Sequence, residues 1–233
     1  MKPKFKLAIT ALAVAFGSIS SAHAAVITNG FTYSVADDFT GPSLVGTHYH
    51  SNTGGAFGNP AGKAEVGGFF GTEEVRGLSE YNLAGIGAAG PAFVSFNVYL
   101  ADGLFGQGGG TFLIDIYAYQ GNNAEDLSDW EAVSTAFIGS FSTAGLAVGD
   151  ILSFDVNSAL DAAIGNSWTS FGIRLQQNTR NISGPAYTFD NFRLTTDNQC
   201  TAGAACSVPE PGTLVLLGLG LAGLGLSRRR KAN

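Results

Sequence analysis

The sequence predicts an all-β protein, namely an antiparallel β-sandwich that is jelly-roll-like and has one short helix. Apolar and polar residues alternate with period two over residues 93–100 and again over residues 112–119. This alternation is typical of strands that bury one face. Loops rich in Gly, Asn, Ser and Asp separate several more segments of this kind, as they do in antiparallel sandwiches.

Eight segments are predicted as strands, and they lie at residues 32–35, 65–70, 93–100, 112–119, 134–141, 151–156, 169–175 and 187–195. On the third of these, one apolar face consists of Val94, Phe96, Val98 and Leu100, and on the fourth it consists of Phe112, Ile114, Ile116 and Ala118. A helix is predicted at residues 159–164, because Ser158 and Asp161 have the spacing of a capping box. The β-sandwich domain is expected to span residues 25–197.

The charge of this middle part excludes one class of function. The whole chain has a formal charge of −6, but seven of its twelve basic residues lie near the two termini. Residues 25–207 keep five cations against 17 of the 18 acids, a net charge near −12. Because so acidic a body repels phosphate groups, the sequence argues against binding to nucleic acid and against docking on anionic lipid.

The first 24 residues are predicted to be a secretory signal peptide. Three lysines within the first six residues precede an apolar run at residues 7–16, and a stretch of small residues then ends in Ala22, His23 and Ala24. An apolar run this short does not span a bilayer permanently, and A-x-A is the usual cleavage site. The mature protein is therefore expected to begin at Ala25, after passage through the Sec export machinery.

Residues 208–233 have a second pattern, which begins with a proline motif and ends with consecutive cations. The motif consists of Val208, Pro209, Glu210 and Pro211. The cations are Arg228, Arg229, Arg230 and Lys231. Between them, residues 214–226 are uncharged and rich in Leu and Gly, enough for a transmembrane helix of about 20 Å, which is a marginal span. Since basic residues prefer the cytoplasmic side, the tail is expected inside and the acidic body outside.

This second pattern resembles the PEP-CTERM sorting signal of Gram-negative bacteria. The resemblance implies recognition by an exosortase, a membrane protease-transpeptidase that acts near Pro209 to Pro211. The enzyme would remove the helix and the basic tail, so that the protein is anchored only transiently in the inner membrane and then passes to the cell surface. The resemblance also implies a host that makes exopolysaccharide, biofilm or floc. It concerns sorting alone, because proteins with this signal have very different bodies.

The body is similar to non-catalytic jelly-roll modules of the carbohydrate-binding type. The similar segments are residues 76–83, 92–100, 150–156 and 171–175, and residues 187–194 resemble the closing strand of such sandwiches. This resemblance implies sugar binding, and exposed aromatic rings can stack on sugar rings. Tyr99, Tyr117 and Tyr119 lie on the polar sides of their predicted strands, which makes them candidate stacking residues. The more frequent role of such rings is packing in or over the core.

The two cysteines of the chain, Cys200 and Cys206, lie in the segment 198–207, which is expected to link the body to the sorting signal. In an oxidising periplasm they are expected to form a disulfide. The small ring would stiffen the linker, outside the core, and contribute about 2 kcal/mol in the chain-entropy account.

Calcium is the one cofactor that the sequence suggests. Asp37 and Asp38 follow the first predicted strand, and Asp190 lies in the last. Jelly rolls often pair their terminal strands, which would bring these oxygens together as ligands for a hard cation. Aspartates that cap loops are the alternative and the more frequent case. A second acidic patch, at residues 125–131, lacks the spacing of an EF-hand and is expected to be a solvated loop.

His48 and His50 are the two histidines of the body. On a strand, an H-x-H pair points both rings the same way and can bind zinc or copper. No spacing identifies a further ligand, so histidines without a metal are the favoured interpretation. The body also has no G-x-S-x-G motif, and no spacing singles out a glycosidase-like pair among its acids. The body is therefore expected not to be an enzyme.

These observations predict an exported, non-enzymatic β-sandwich at the surface of a Gram-negative cell, where it binds exopolysaccharide or other matrix components. A polar, tyrosine-lined groove would favour sugar binding. Two alternatives stay open. A polysaccharide-acting enzyme would show two carboxylates facing across a cleft. A structural subunit or adhesin that binds protein would show a long unpaired edge strand.

Overall fold

The computed structural model describes residues 25–41, 44–55, 60–87 and 90–202. The predicted signal peptide and the predicted sorting segment at residues 208–233 lie outside this part of the chain. Ala25, the predicted first residue of the mature protein, is exposed, and its N–H donates to Thr196 Oγ1 at 3.1 Å. Cleavage before Ala25 stays a prediction.

The described residues form eleven β-strands, one α-helix and one 3₁₀ helix. The strands are β1 (Val26–Asn29), β2 (Phe31–Asp37), β3 (His48–Ser51), β4 (Ala64–Phe69), β5 (Glu73–Asn82), β6 (Phe93–Leu100), β7 (Leu113–Gly121), β8 (Ser134–Ser142), β9 (Ile151–Asp155), β10 (Ser170–Gln177) and β11 (Ala186–Thr195). The α-helix, α1, spans Asn157–Gly165, and the 3₁₀ helix spans Leu127–Trp130. All eight predicted strands are present, within two residues at each end, and β1, β3 and β5 are additional.

The strands form one antiparallel sheet that curls nearly into a barrel. Its hydrogen-bonded order is β8-β7-β10-β5-β4-β11-β6-β9, with β1 added to β11, β2 to β5 and β3 to β2. Phe141 of β8 lies across the core from Phe154 of β9 and Phe189 of β11, with ring centroids 5.5 and 5.7 Å away. Two sets of strands therefore face each other, and the predicted all-β, antiparallel sandwich with one short helix is confirmed.

The main core lies inside the curled sheet. Phe96 is fully buried there, stacked on Phe192 at 4.6 Å between ring centroids and edge-on to Phe189 at 5.4 Å. The alternation in the sequence assigned the inward faces of β6 and β7 correctly. Their core residues are Val94, Phe96, Val98, Ile114, Ile116 and Ala118.

A second, smaller core lies on the opposite face of β5 and β7. It consists of Tyr33, Val35, Leu78, Tyr119 and Trp130, all of them buried. Strand β2 and the 3₁₀ helix supply the residues that cover this face. The indole N–H of Trp130 donates to the carbonyl of Glu74 at 3.2 Å, and the guanidinium of Arg76 lies 3.5 Å from the indole ring.

The acidic segment at residues 125–131, expected to be a solvated loop, contains the 3₁₀ helix. Asp126 caps this helix, and Asp129 completes a capping box with it. Asp129 is buried, and it accepts a hydrogen bond of 2.5 Å from Tyr33 Oη. This segment is therefore part of the second core.

Helix α1 begins earlier than predicted and without the predicted capping box. Its N-cap residue is Val156, and no side chain caps it. Ser158 and Asp161 therefore lie inside the helix, so the interpretation of their spacing was wrong. Leu160 and Ala163 are buried against the main core, which means that packing holds the helix in place.

Residues 198–202 belong to the predicted linker, but they pack on the body. The N–H groups of Thr201 and Ala202 both donate to the carbonyl of Ile151 on β9, at 2.9 and 3.3 Å. Cys200, which is disulfide-bonded, and Ala202 pack against the main core. The expectation that Cys200 lies outside the core is therefore wrong. Its predicted partner, Cys206, lies beyond the described residues.

Candidate functional site

The three tyrosines predicted to stack on sugars do not form one surface. Tyr119 is fully buried in the second core. Tyr117, on the same strand, is half-buried against the ring of Phe137, with centroids 5.4 Å apart. Tyr99 lies on β6, in the other half of the sheet, where Lys63 Nζ is 3.9 Å from its ring centroid. The stacking hypothesis gains no support from this geometry, because the second core covers Tyr119 and the other two rings lie on strands that are not neighbours.

The three aspartates predicted to bind calcium do not converge on one point. Asp38 accepts hydrogen bonds from the backbone N–H and the hydroxyl of Thr40, and Asp190 forms an ion pair of 2.8 Å with Lys63. Asp37 is buried at the end of β2. Among the described residues, the group of three whose ligand atoms lie within 4.8 Å of one another consists of His48, His50 and Glu73. The calcium hypothesis gains no support from this geometry.

An open, polar cleft of about 550 Å³ lies where β1, β2, β6 and β11 meet. Its lining includes three amides, a guanidinium, a hydroxyl and an aromatic ring, which belong to Asn29, Asn97, Asn191, Arg193, Thr53 and Phe31. A second recess, of about 440 Å³, shares Phe31 and Thr53 with the cleft and extends it towards Asn123 and Glu125. Hydrogen-bond donors and acceptors thus surround a half-buried aromatic ring.

A β-bulge in β11 shapes the wall of the cleft. The register of β11 against β6 shifts between Asp190 and Arg193, and Asn191 has a φ of 52°. This left-handed conformation is one that Asn tolerates better than most residues, and bulges commonly re-aim side chains next to functional sites. Arg193 donates to Asn97 Oδ1 at 2.9 Å and to Gln199 Oε1 at 2.8 Å. These bonds fix its guanidinium in the wall.

Gly30, between β1 and β2, forms part of the cleft lining. Its N–H donates to the carbonyl of Phe192 at 3.0 Å. A Cβ atom at this position would lie 2.2 Å from Ser79 Oγ and 2.8 Å from the ring of Tyr81. Only glycine lets the backbone approach the sheet so closely here.

A separate cluster of His and Glu side chains connects β3, β4 and β5. Because β3 is a strand, His48 and His50 lie on one side of it, with ring centroids 5.4 Å apart, and Tyr49 packs on the second core. The orientation predicted from the H-x-H spacing is therefore confirmed. Both histidines present Nε2 to one carboxylate oxygen, Glu73 Oε2, at 3.4 Å from His48 and 2.7 Å from His50.

A second carboxylate, that of Glu65 on β4, contacts the other nitrogen of His50. Glu65 is fully buried, and its Oε2 lies 2.9 Å from His50 Nδ1. Its Oε1 accepts hydrogen bonds from the N–H of Leu104 at 3.0 Å and from the side-chain amide of Gln107 at 2.7 Å. Burial alone would lower the pKa of His50, but its hydrogen bonds to the two glutamates outweigh burial and raise the pKa to about 9.

Sequence reasoning did not find Glu65 and Glu73. They follow His50 by 15 and 23 residues, and no fixed spacing connects them to an H-x-H pair. One signal was present, because Glu65 is a charged residue at the start of a predicted strand, and a buried charge needs a partner. Glu73 lies on β5, a strand that the sequence analysis did not predict.

Comparison with known proteins identifies one part of the chain. The family model of the PEP-CTERM protein-sorting motif matches residues 207–231, a range that includes the proline motif and the four consecutive cations. No curated protein matches the chain. Among the described residues, no helix is both long and apolar enough to span a membrane; the predicted helix at residues 214–226 lies outside them. The chain thus carries a PEP-CTERM sorting motif, which marks it as an exported protein that is sorted by an exosortase, with membrane anchoring before its release to the cell surface.

Proposed function

We propose that the body of this exported protein is a non-enzymatic module that binds a polysaccharide of the extracellular matrix in the cleft between β1, β2, β6 and β11. The observation that supports this proposal is the lining of the cleft, in which amide, guanidinium and hydroxyl groups surround the ring of Phe31. Sugar hydroxyls both donate and accept hydrogen bonds, as amides do, and the apolar face of a sugar stacks on an aromatic ring.

The shape of this region favours a polymer over a small ligand. The cleft of about 550 Å³ adjoins the recess of about 440 Å³ at Phe31 and Thr53, and both are open to solvent. An extended sugar chain can lie across two adjoining recesses without having its ends enclosed. Display at the cell surface would place this opening among secreted polysaccharides.

Binding, rather than hydrolysis, suits the charges in the cleft. Its charged lining residue is Arg193, and the described residues that line it include no carboxylate. Glycoside hydrolysis generally uses two carboxyl groups about 5 to 10 Å apart, across the scissile bond. An assay for released reducing sugar tests this part of the proposal: no release is expected from a polysaccharide that binds.

The binding test uses the mature protein on an array of bacterial exopolysaccharides and oligosaccharides, followed by calorimetry with each glycan that binds. The ring of Phe31 is stacked on that of Tyr33, with centroids 6.0 Å apart; Phe31→Leu keeps an apolar side chain there but removes the aromatic face. Affinity is expected to fall about tenfold, which corresponds to the loss of about 1.4 kcal/mol of stacking. A second, separate variant, Asn29→Ala, lies at an exposed position and is also expected to weaken binding, because it removes hydrogen bonds to the glycan.

Tyr117→Leu is the matched control, because it removes a half-buried ring outside the cleft. Its affinity is expected to equal that of the unaltered protein. Wild-type affinity in both Phe31→Leu and Asn29→Ala would show that the glycan binds elsewhere. Failure of the unaltered protein to bind any glycan on the array would count against the proposed function itself.

A second candidate function, assembly with protein, is favoured by the edge strand β8. Among the described strands, β8 is bonded to β7 alone, and it is nine residues long. Val133 beside it and Phe137 on it are 84% and 59% exposed. A long edge strand with exposed apolar residues can pair with a strand of another chain.

Light scattering coupled to size-exclusion chromatography tests this second candidate. Self-association through β8 predicts a molar mass that rises with protein concentration, and Phe137→Lys should keep the protein monomeric. A monomer at every concentration, in both proteins, would remove self-assembly through β8 as a function.

A further inference from the structure

Three ligand atoms converge between β3 and β5, at a site separate from the cleft. His48 Nε2 and His50 Nε2 both approach Glu73 Oε2, at 3.4 and 2.7 Å. The three atoms lie within 4.8 Å of one another. Two imidazole nitrogens and one carboxylate oxygen form a ligand set that zinc proteins use.

The hydrogen bonds of the opposite ring nitrogens determine which tautomers the histidines adopt. The hydroxyl of Thr47 donates to the carbonyl of Ala36 at 3.1 Å, so it accepts a hydrogen bond from His48 Nδ1 at 3.0 Å. The buried carboxylate of Glu65 likewise accepts from His50 Nδ1 at 2.9 Å. When the rings are neutral, both Nδ1 atoms carry the proton and the lone pairs of Nε2 face Glu73. A metal ion, or the second proton of an imidazolium, can then bring the Nε2 atoms and the carboxylate oxygen together.

The contact between Glu65 and His50 is the arrangement expected behind a metal-binding imidazole. Histidines that bind metals commonly donate their second N–H to a carboxylate, which fixes the ring and increases its basicity. Glu65 is itself immobilised by the N–H of Leu104 and the amide of Gln107. The position of His50 is therefore set by the fold before any ion binds.

We propose that His48, His50 and Glu73 bind one divalent transition-metal ion of the zinc type, with Glu65 as the carboxylate that orients His50. Imidazole favours Zn²⁺ and its neighbours in the series over Ca²⁺ and Mg²⁺, which prefer oxygen ligands alone. Three protein ligands leave one position of a tetrahedral ion for water or for a group from outside.

The surroundings determine how an ion reaches the site. The rings of Phe69 and Phe105 pack edge-on against His50, with centroids 5.3 and 5.0 Å from its own. The side chain of His48 is 30% exposed and that of Glu73 14%. His48 is therefore the most exposed of the three proposed ligands.

A proton is the competing occupant of the same space. An imidazolium at His50 would donate to Glu65 and Glu73 at once, at 2.9 and 2.7 Å. Metal binding displaces this proton, so the two occupants can be told apart by a titration that measures both heat and proton release.

The test uses mature protein without a polyhistidine tag, treated with a chelator and titrated with ZnCl₂ in an isothermal calorimeter. One Zn²⁺ per chain is expected, with proton release, and with a melting temperature that rises because the ion binds the folded state. Substitution with Co²⁺ should give the visible absorption of a four-coordinate ion. A parallel titration with CaCl₂ examines the separate calcium hypothesis for Asp37, Asp38 and Asp190.

Variants distinguish this site from adventitious binding. His48→Ala and Glu73→Gln, both at partly exposed positions, should weaken Zn²⁺ binding more than about 100-fold. Glu65→Gln presents an amide N–H₂ to His50 Nδ1, which disfavours the tautomer that binds metal, so a loss of about 10- to 100-fold is expected. Asp161→Asn, at an exposed carboxylate on α1, is the control and should bind as the unaltered protein does.

Two results would overturn the proposal. One is a correctly folded protein, judged by circular dichroism, that takes up no Zn²⁺ and no Co²⁺. The other is unchanged Zn²⁺ affinity in both His48→Ala and Glu73→Gln, which would place the ion elsewhere. Should Glu65→Gln fail to fold, these two variants still decide the question.

Discussion

The two cores of this protein are held together by different forces. The main core is made of aliphatic and aromatic side chains, such as the stacked rings of Phe96 and Phe192. The second core contains hydroxyls and charges among its rings. Its Tyr33 bonds to Asp129, and buried Arg174 donates to the carbonyl of Ala132 at 2.7 Å.

This difference predicts different responses to substitution. In the main core, stability depends on volume and buried apolar area, because the contacts are non-directional. In the second core, each buried polar atom must keep its partner, since an orphaned donor or acceptor costs about 1 to 3 kcal/mol. The main core should therefore respond to the loss of size, and the second core to a change of charge at constant size.

The largest expected effect is that of Phe96→Ala. Phe96 is fully buried and has four aromatic neighbours, with centroids between 4.6 and 6.0 Å away. Removing the ring leaves a cavity, so the free energy of unfolding should fall by about 3 to 5 kcal/mol in a urea titration. The control is Phe137→Ala, at a 59% exposed ring, where a loss below about 1 kcal/mol is expected. Similar losses of unfolding free energy in the two variants would show that the stability of the main core does not depend on the volume of Phe96.

Glu80→Gln tests the second core by changing charge at constant size. Glu80 Oε2 accepts from the N–H groups of Asn122 and Asn123 and from Ser170 Oγ, at 3.0, 2.8 and 2.7 Å. Tyr119 Oη donates to its other oxygen at 3.2 Å. An amide would turn one acceptor into a donor that faces other donors, so a loss of about 2 to 3 kcal/mol is expected.

The same urea titration measures Glu80→Gln. Asp161→Asn is its control, because it makes the same kind of change at an exposed carboxylate and should alter stability by less than about 0.5 kcal/mol. If Glu80→Gln also altered the unfolding free energy by less than about 0.5 kcal/mol, the hydrogen bonds to the Glu80 carboxylate would not stabilise the second core.

The pH dependence of stability probes Asp129. Burial raises its pKa to about 6, and the charges of Glu80 and Asp126 act in the same direction, although the hydrogen bond from Tyr33 lowers it. Because the folded state holds this proton more tightly than the unfolded state, the contribution of Asp129 to stability is full below about pH 4 and is lost as the pH rises through 6.

Asp129→Asn should remove that contribution to the pH dependence. The difference in unfolding free energy between the unaltered protein and the variant is expected to decrease from pH 4 to pH 6 and then to level off. Denaturant titrations at several pH values measure this difference. The other carboxylates contribute equally to the stability of both proteins, so their contributions cancel. A difference that is constant over the range would show that Asp129 titrates normally.

The smallest expected effect is that of Ser158→Ala in α1. A side-chain cap is worth about 1 kcal/mol, but Val156 is the N-cap residue and no side chain caps this helix. The change should therefore alter the unfolding free energy by less than about 0.5 kcal/mol. A decrease of about 1 kcal/mol or more in the unfolding free energy would indicate that Ser158 does cap the helix, as its spacing in the sequence suggested.

Eight strands were predictable because their inward faces are apolar and their period is two. Strand β5 was missed for a physical reason. It lies between two cores, with Leu78 in one and Tyr81 in the other, and it also buries Glu74 and Glu80. Charges that are paired far along the chain give no local signal of burial. Strands β1 and β3 have four residues each, and the sequence of β3, His-Tyr-His-Ser, contains no aliphatic residue that would mark an inward face.

The candidate sites show the same division between local and long-range information. The orientation of His48 and His50 follows from local alternation and was predictable. Their approach to Glu73 depends on the pairing of β3 with β2 and of β2 with β5, which no spacing encodes. The burial of Tyr119 was not predictable, because alternation shows which side of a strand is polar but not that a further layer, containing Trp130, covers it.

The docking of residues 201 and 202 on β9 limits how far the folded body can stand from the point at which it is processed. Pro209 lies seven positions after Ala202, and a fully extended chain covers at most about 3.5 Å per position, or about 25 Å. A domain of this length is roughly 30 to 40 Å across. The tether from the body to the proline motif is therefore shorter than the body is wide, so an exosortase that cleaves near Pro209 would have to work close to the β9 edge.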